Sequence, residues 1–230
     1  MRCNICGGTS FLDMPERPKV RCAACGSLER TRVAALHLAK YVQPRPGARI
    51  LHFAPEQGLS RMLKAIGGQN YRALDVDPGR YPGLEVERFD LCRDIFDLVP
   101  DSCDLIVHNH VLEHIECNYT AVLTRLAHAL TATGTMLFSV PILSGHFSDE
   151  LVNASPDEKI ARFGSMLHVR RFGRDFVEET IGMIFRIPER YDLTAFFSET
   201  ELEEVNIPPR HWQKYTGASV FRVQRTDLRL

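Results

Sequence analysis

The chain has 230 residues, 44% of them apolar and 25% charged, with 15 glycines and 13 prolines; this ordinary globular composition excludes collagenous, coiled-coil and wholly disordered classes. Lys and Arg number 28 against 29 Asp and Glu, a formal net charge of −1, so no global field advertises nucleic acid or an anionic membrane as partner. The length fits one domain of about 200 residues carrying a small appendage.

No apolar run approaches the roughly 18 residues of a membrane span. The N-terminal MRCNICGG lacks the charged-then-apolar layout of a secretory signal, so a cytoplasmic location is the expectation. In a reducing compartment paired Cys-x-x-Cys units read first as metal ligands. Cys3, Cys6, Cys22 and Cys25 form two Cys-x-x-Cys-Gly units with fifteen residues between them, a spacing suited to a tetrahedral structural Zn2+ site. Gly7 and Gly26 can take the positive φ that such knuckles want. Four thiolates close the coordination sphere, so this zinc is assigned a structural role in a ribbon over residues 1–27. Cys92, Cys103 and Cys117 read as small buried hydrophobes.

Ser27 can cap a helix running to about Val42, and the Pro44-Arg45-Pro46-Gly47 cluster closes a connecting segment over 28–47. From residue 48 to 230 strands and helices alternate. Strands are expected at 48–53, 71–76, 84–89, 103–109 and 135–142, with helices at 58–68 and 118–130. A helix over 174–181 and strands at 183–187 and 219–224 complete the pattern. This order predicts an α/β fold: a Rossmann-like, seven-stranded, mostly parallel sheet with helices on both faces, plus the small N-terminal zinc ribbon. Two stretches, 145–171 and 188–216, are too long for ordinary connections and are expected as lid insertions.

In such sheets ligands bind at the carboxyl ends of strands, where strand order reverses. The first strand leads into His52, Phe53, Ala54, Pro55, Glu56, Gln57 and Gly58; the second into Asp75 and Val76; the third into Asp90 and Leu91; the fourth into His108, Asn109 and His110. Asp75 stands about seventeen residues beyond Gly58, where a carboxylate can accept both ribose hydroxyls of an adenosine cofactor, and Asp90 could accept from the adenine amine. Each carboxylate could also merely end a strand or cap a helix.

On ILHFAPEQG, ALDVDP, RFDL, CDLIVHNHVLEHI and LAHALTATGTMLFSVPI, residues 48–225 resemble the class I S-adenosylmethionine-dependent methyltransferases of the small bacterial type 11 kind. A narrower group joins a ribbon ending in Cys-Gly-Ser-Leu-Glu-Arg to a His-Phe-Ala-Pro-Glu loop, and this chain is similar to it throughout. The resemblance implies S-adenosylmethionine as cofactor, held by His52, Ala54, Glu56, Gly58, Asp75, Val76, Asp90, Leu91 and Asn109. There is one departure: the usual acidic-x-Gly-x-Gly-x-Gly loop has become His52, Ala54, Glu56 and Gly58, with a single glycine left. Glycine amides matter more to a pyrophosphate than to a sulfonium, so the loss counts against a dinucleotide first, and Glu56 could supply the carboxylate that His52 does not.

Methyl transfer needs alignment and, for some acceptors, a base; His110 and His108 are the candidate catalytic residues. His114, together with His146, His168, Arg170 and Arg171 of the first insertion, are the candidate substrate-binding residues, the arginines for a carboxylate or phosphate. The expected partner is a small polar, anionic metabolite or sugar derivative. A rival reading makes RNA the substrate, with Arg17, Lys19, Arg21, Arg30 and Arg32 on its phosphates. A second rival is a non-catalytic ribbon scaffold with a degenerate cofactor loop.

Overall fold

A computed structural model of the chain describes residues 1–229. The ribbon is a hairpin of β1 (Phe11–Met14) and β2 (Arg17–Cys22). Helix α1 (Glu29–His37), widened into a π turn over Leu38–Val42, leads to the sheet. Its N-cap is Leu28 rather than Ser27. Ser27 is buried instead, with its hydroxyl 3.2 Å from Cys3 Sγ and 3.3 Å from Cys25 Sγ.

The alternating segment supplies β3 (Ile50–Phe53), α2 (Gln57–Gly67), β4 (Tyr71–Asp75), β5 (Val86–Arg88), β6 (Cys103–Asn109), α3 (Tyr119–Ala129) and β7 (Leu130–Ser139). In the first insertion come β8 (Ile142–Leu143), α4 (Pro156–Phe163) and β9 (Phe172–Gly173), and the chain finishes with α5 (Ile181–Ile184), α6 (Glu199–Glu204) and β10 (Phe221–Gln224). The main sheet has the order β10-β7-β6-β3-β4-β5 and is parallel except for β10, which runs antiparallel to β7. Strands bounded by helices lose both faces to water, and β3 and β6 accordingly read as near-continuous apolar runs with Ile50, Leu51, Leu105, Ile106 and Val107 buried. Gly134 lies where β7 passes β6, and a Cβ there would stand 2.8 Å from the Cys103 carbonyl oxygen, so only glycine fits.

Six strands form the sheet, where the sequence predicts seven. Residues 183–187 are the expected strand that is missing. Ile181, Ile184 and Phe185 are buried while Met183 is 64% exposed, a spacing of three and four that suits a helical turn; Phe185 then makes only an isolated bridge to Leu228. The helix expected over 174–181 shrinks to a 3-10 turn over Arg174–Phe176.

The two insertions take different places. Segment 145–171 folds over the end of β6: Val169 N donates to Glu113 O at 2.8 Å and Ser148 pairs with Arg171. Its helix α4 is capped by Ser155 and Glu158. Segment 188–216 straps the ribbon to the sheet and, among the described residues, lines no part of the cleft beside Asp75. Arg2 N donates to Glu204 O at 2.6 Å, Asn206 Nδ2 to Lys19 O at 2.8 Å, and Trp212 fills the core beneath.

Candidate functional site

The chain runs from β3 outward through β4 and β5, then returns across the sheet to β6 and outward again through β7, so strand order reverses between β3 and β6. At the carboxyl ends beside this point lies a cleft of about 420 Å3, within the size range of small-molecule sites. Phe53, Leu74, Phe89 and Leu91 give it an apolar floor, and Asp75, Asp90, Arg80, His110 and His114 stand on its rim.

Asp75 ends β4 with its carboxylate nearly buried. Asp77 N donates to Oδ1 at 2.8 Å and Tyr81 Oη donates to Oδ2 at 2.6 Å. Those two bonds fix its orientation and leave lone pairs on both oxygens for two further donors. Asp90 is held likewise, its Oδ1 accepting from Cys92 N at 2.9 Å. A diol and an exocyclic amine on one ligand match this pair, so the residues present fit an adenosine group. Ala54, Val76 and Leu91 line the same cleft.

Four predicted cofactor residues lie elsewhere. His52 is sealed in the core, its Nδ1 3.1 Å from Tyr71 Oη, and burial drives its pKa down to about 3. Glu56 turns toward the ribbon: Thr31 Oγ1 donates to Oε1 and Asn109 Nδ2 to Oε2, both at 2.8 Å, with Arg30 3.4 Å away. Asn109 is consumed between Glu56 and Ser139. Gly58, the glycine that survives in the loop, faces Cys25, whose Cβ and Sγ would lie 3.0 and 3.1 Å from an added Cβ. The bare backbone at 58 makes room for the cysteine knuckle. For Glu56 and Gly58 the reason is that α1 and the ribbon dock on this loop, which a sequence pattern cannot show.

Of the two candidate bases, His110 reaches the cleft and His108 does not. His108 is 0% exposed, stacked on Phe138 with ring centroids 5.0 Å apart, and burial holds its pKa at about 3. Its position in the middle of a parallel sheet buries both faces of the strand. His110 takes a positive φ of 55°, and its Nε2 lies 2.9 Å from the Gly217 carbonyl oxygen. Because a carbonyl only accepts, Nε2 carries the proton and Nδ1 is the free acceptor. Burial, then the nearby Arg30 charge, keeps His110 well below the usual imidazole range.

His114 and His168 meet edge to face with centroids 4.7 Å apart at the cleft mouth, beside Glu113. Burial lowers both, His168 to about 4, and it raises the Glu113 carboxyl to about 8. His146 is exposed and lines no part of the cleft. Arg170 is a buried clamp: it donates to the carbonyls of Leu112 and Cys117 and to Asp149, with its guanidinium over the Tyr119 ring. Arg171 donates to the Ser144 carbonyl. Neither arginine faces the cleft. Sequence reasoning missed Arg80 and Tyr81, whose signal was their place in the turn after the second strand, and passed over Glu113.

The four ribbon cysteines converge, with Sγ–Sγ distances of 3.7 Å for Cys3–Cys25 and 3.6 Å for Cys6–Cys22. Zinc–sulfur bonds of about 2.3 Å in a tetrahedron put sulfurs about 3.8 Å apart, so the set fits Zn2+. Gly7 and Gly26 adopt φ of 77° and 72°, and their amides donate to the Cys3 and Cys22 carbonyls. Cys92 and Cys117 are joined by a disulfide beside the cleft, so only Cys103 remains the isolated buried thiol that the sequence suggested for all three. Of the basic string proposed for RNA, Arg32 is fully buried, Arg17 pairs with Glu29 and Arg30 with Glu56, while Lys19 and Arg21 stand exposed on β2. No helix among the described residues is long and apolar enough to cross a membrane.

No protein-family model and no curated protein matches the chain. Solved structures do. An S-adenosylmethionine-dependent methyltransferase from Mesorhizobium loti is 21% identical over 49% of this chain and 53% of its own, with a TM-score of 0.38. One from Archaeoglobus fulgidus is 12% identical over 84% and 92%, with a TM-score of 0.48. Coclaurine N-methyltransferase bound to N-methylheliamine and S-adenosylhomocysteine is 14% identical over 76% and 53%, with a TM-score of 0.44. The chain thus spans about half the length of the first of these.

Proposed function

We propose that this chain is an S-adenosylmethionine-dependent methyltransferase acting on a small polar, anionic acceptor. The observation that carries the reading is the pair Asp75 and Asp90, on successive strand ends of one cleft at the reversal of strand order. When bound, the cofactor supplies a methyl group already attached to its leaving group.

Asp75 would take the ribose hydroxyls on its two free lone-pair directions, and Asp90 the adenine amine over the Phe89 and Leu91 floor. Arg80 lines the cleft and forms no ion pair among the described residues, which supports an acceptor bearing negative charge. His110, neutral near pH 7, presents Nδ1 as the proton acceptor for a hydroxyl or amine, while the Gly217 carbonyl fixes its tautomer. Glu56 and Arg170 belong to the scaffold.

Calorimetry with S-adenosylmethionine tests the reading. Binding in the micromolar range, weakened about a hundredfold in Asp75→Asn, is expected, since that change weakens two charge-assisted hydrogen bonds. Absence of heat at millimolar ligand would leave only the scaffold reading.

A further inference from the structure

Among the described residues, two groups of three or more metal-ligating side chains come together: the ribbon cysteines, and Glu113, His114 and His168. The second group mixes one carboxylate with two imidazoles, all ligand atoms lying within 4.8 Å of one another. Glu113 is 0% exposed, yet neither of its carboxylate oxygens has a hydrogen-bond partner. A buried carboxyl group left without partners is costly, and native structures rarely leave one so. The nearby guanidinium of Arg170 is taken up by carbonyls and Asp149, and that of Arg30 pairs with Glu56.

The spacing around Glu113 is that of a gap between ligands. His114 Nε2 lies 3.9 Å from Oε1, and His110 Nδ1 lies 3.7 Å from the same atom. Both are too long for hydrogen bonds. Metal bonds of about 2.0 to 2.2 Å place neighbouring ligand atoms roughly 3.0 to 3.6 Å apart, so a small inward rotation of the half-exposed His114 and His168 rings closes the set. His168 rides on the first insertion, where the Val169 amide bond to the Glu113 carbonyl pins it over the carboxylate.

We infer that Glu113, His114 and His168 form a second metal site, for a divalent first-row transition ion, on the wall of the cleft. Two imidazoles and a carboxylate suit such an ion; Mg2+ and Ca2+ ask for oxygen ligands throughout. Three protein ligands leave positions open, and of the three His114 itself lines the cleft, as does the neighbouring His110. Under the methyltransferase reading, on which this last step rests, the open positions would take a hydroxyl or carboxylate oxygen of the acceptor, which deepens the anionic assignment.

The test uses the full chain with zinc already in its ribbon, titrated with Co2+ and followed by absorbance and by elemental analysis. The expected result is one cobalt per chain beyond the retained zinc, with d–d bands and no thiolate-to-cobalt charge transfer. His168→Asn, at a partly exposed position, should weaken the uptake about tenfold or more with the thermal unfolding midpoint little changed, and Glu113→Gln should abolish it. Cobalt taken up only as zinc leaves, or uptake unchanged in His168→Asn, overturns the site, as does no uptake. Calorimetry with S-adenosylmethionine on the same sample separates the two claims: cofactor binding without a second metal removes the metal site alone, and a second metal without cofactor binding removes the methyltransferase reading alone.

Discussion

The ribbon side and the cleft side of the molecule both bury charge, and they treat it in opposite ways. Beneath the ribbon, Arg32 is fully buried but donates to the carbonyls of Ser27, Val205 and Asn206 at 2.8 to 2.9 Å. Beside it Glu29 is equally buried; desolvation would raise its carboxyl, but the hydrogen bond from His211 and the charge of Arg17 bring it down to about 2. Arg32 and Glu29 both meet partners from a distant part of the chain. On the cleft side Glu113 meets none. A satisfied buried charge is a joint between segments, whereas an unsatisfied one at a cleft marks a place for a ligand.

The largest expected effect tests the joint. Structural zinc contributes about 10 to 16 kcal/mol in small zinc-binding folds, so chelation, or Cys25→Ser, should release the ribbon, α1 and segment 188–216 together. Hydrogen exchange would show those three losing protection while β3, β4 and β6 keep theirs. If the sheet melts with them, the two sides are one cooperative unit.

The next effect belongs to α1 and the sheet together. Burial holds His37, His52 and His108 near a pKa of about 3, whereas they titrate near 6.5 when unfolded. Protons therefore bind the unfolded chain first. The stability contributed by keeping these rings neutral is complete above pH 6.5 and is lost as pH falls from there toward 3. At pH 5.5 the three together should cost about 4 kcal/mol, on the order of 1.4 each. Denaturant unfolding of His108→Phe should show about a third of that loss removed; an unchanged pH profile would mean that the ring is solvated.

The smallest effect is the sharpest. Gly58→Ala places a methyl group against Cys25 and should cost about 1 to 3 kcal/mol through overpacking, read in ribbon stability, with cofactor affinity little changed. A loss of affinity without a loss of stability would return Gly58 to the cofactor loop.

The legible features share a local cause. The two Cys-x-x-Cys-Gly units announce a metal knuckle because ligand spacing and glycine φ are properties of a few consecutive residues. Asp75 and Asp90 were legible because a carboxylate straight after an apolar run marks a strand end. His108, Glu56 and Arg170 misled for one reason: each has the right chemistry at nearly the right position, and its burial and partners come from segments about 20 to 60 residues away. In the strand predicted over 183–187, apolar content was read correctly and its period was not, since five residues are too few to tell alternation from a helical turn.

Strand and helix alternation, the four thiolates and the acidic strand ends were thus written into the chain itself, because hydrophobic period and ligand spacing act over a few residues. Which glycine meets the ribbon cysteines, which arginine is a clamp, and which carboxylate is left alone beside two imidazoles were decided only when β6, the insertion over it and the ribbon came together. Solvation and pairing of a charged group depend on everything that packs around it, and here those neighbours come from opposite ends of the sequence.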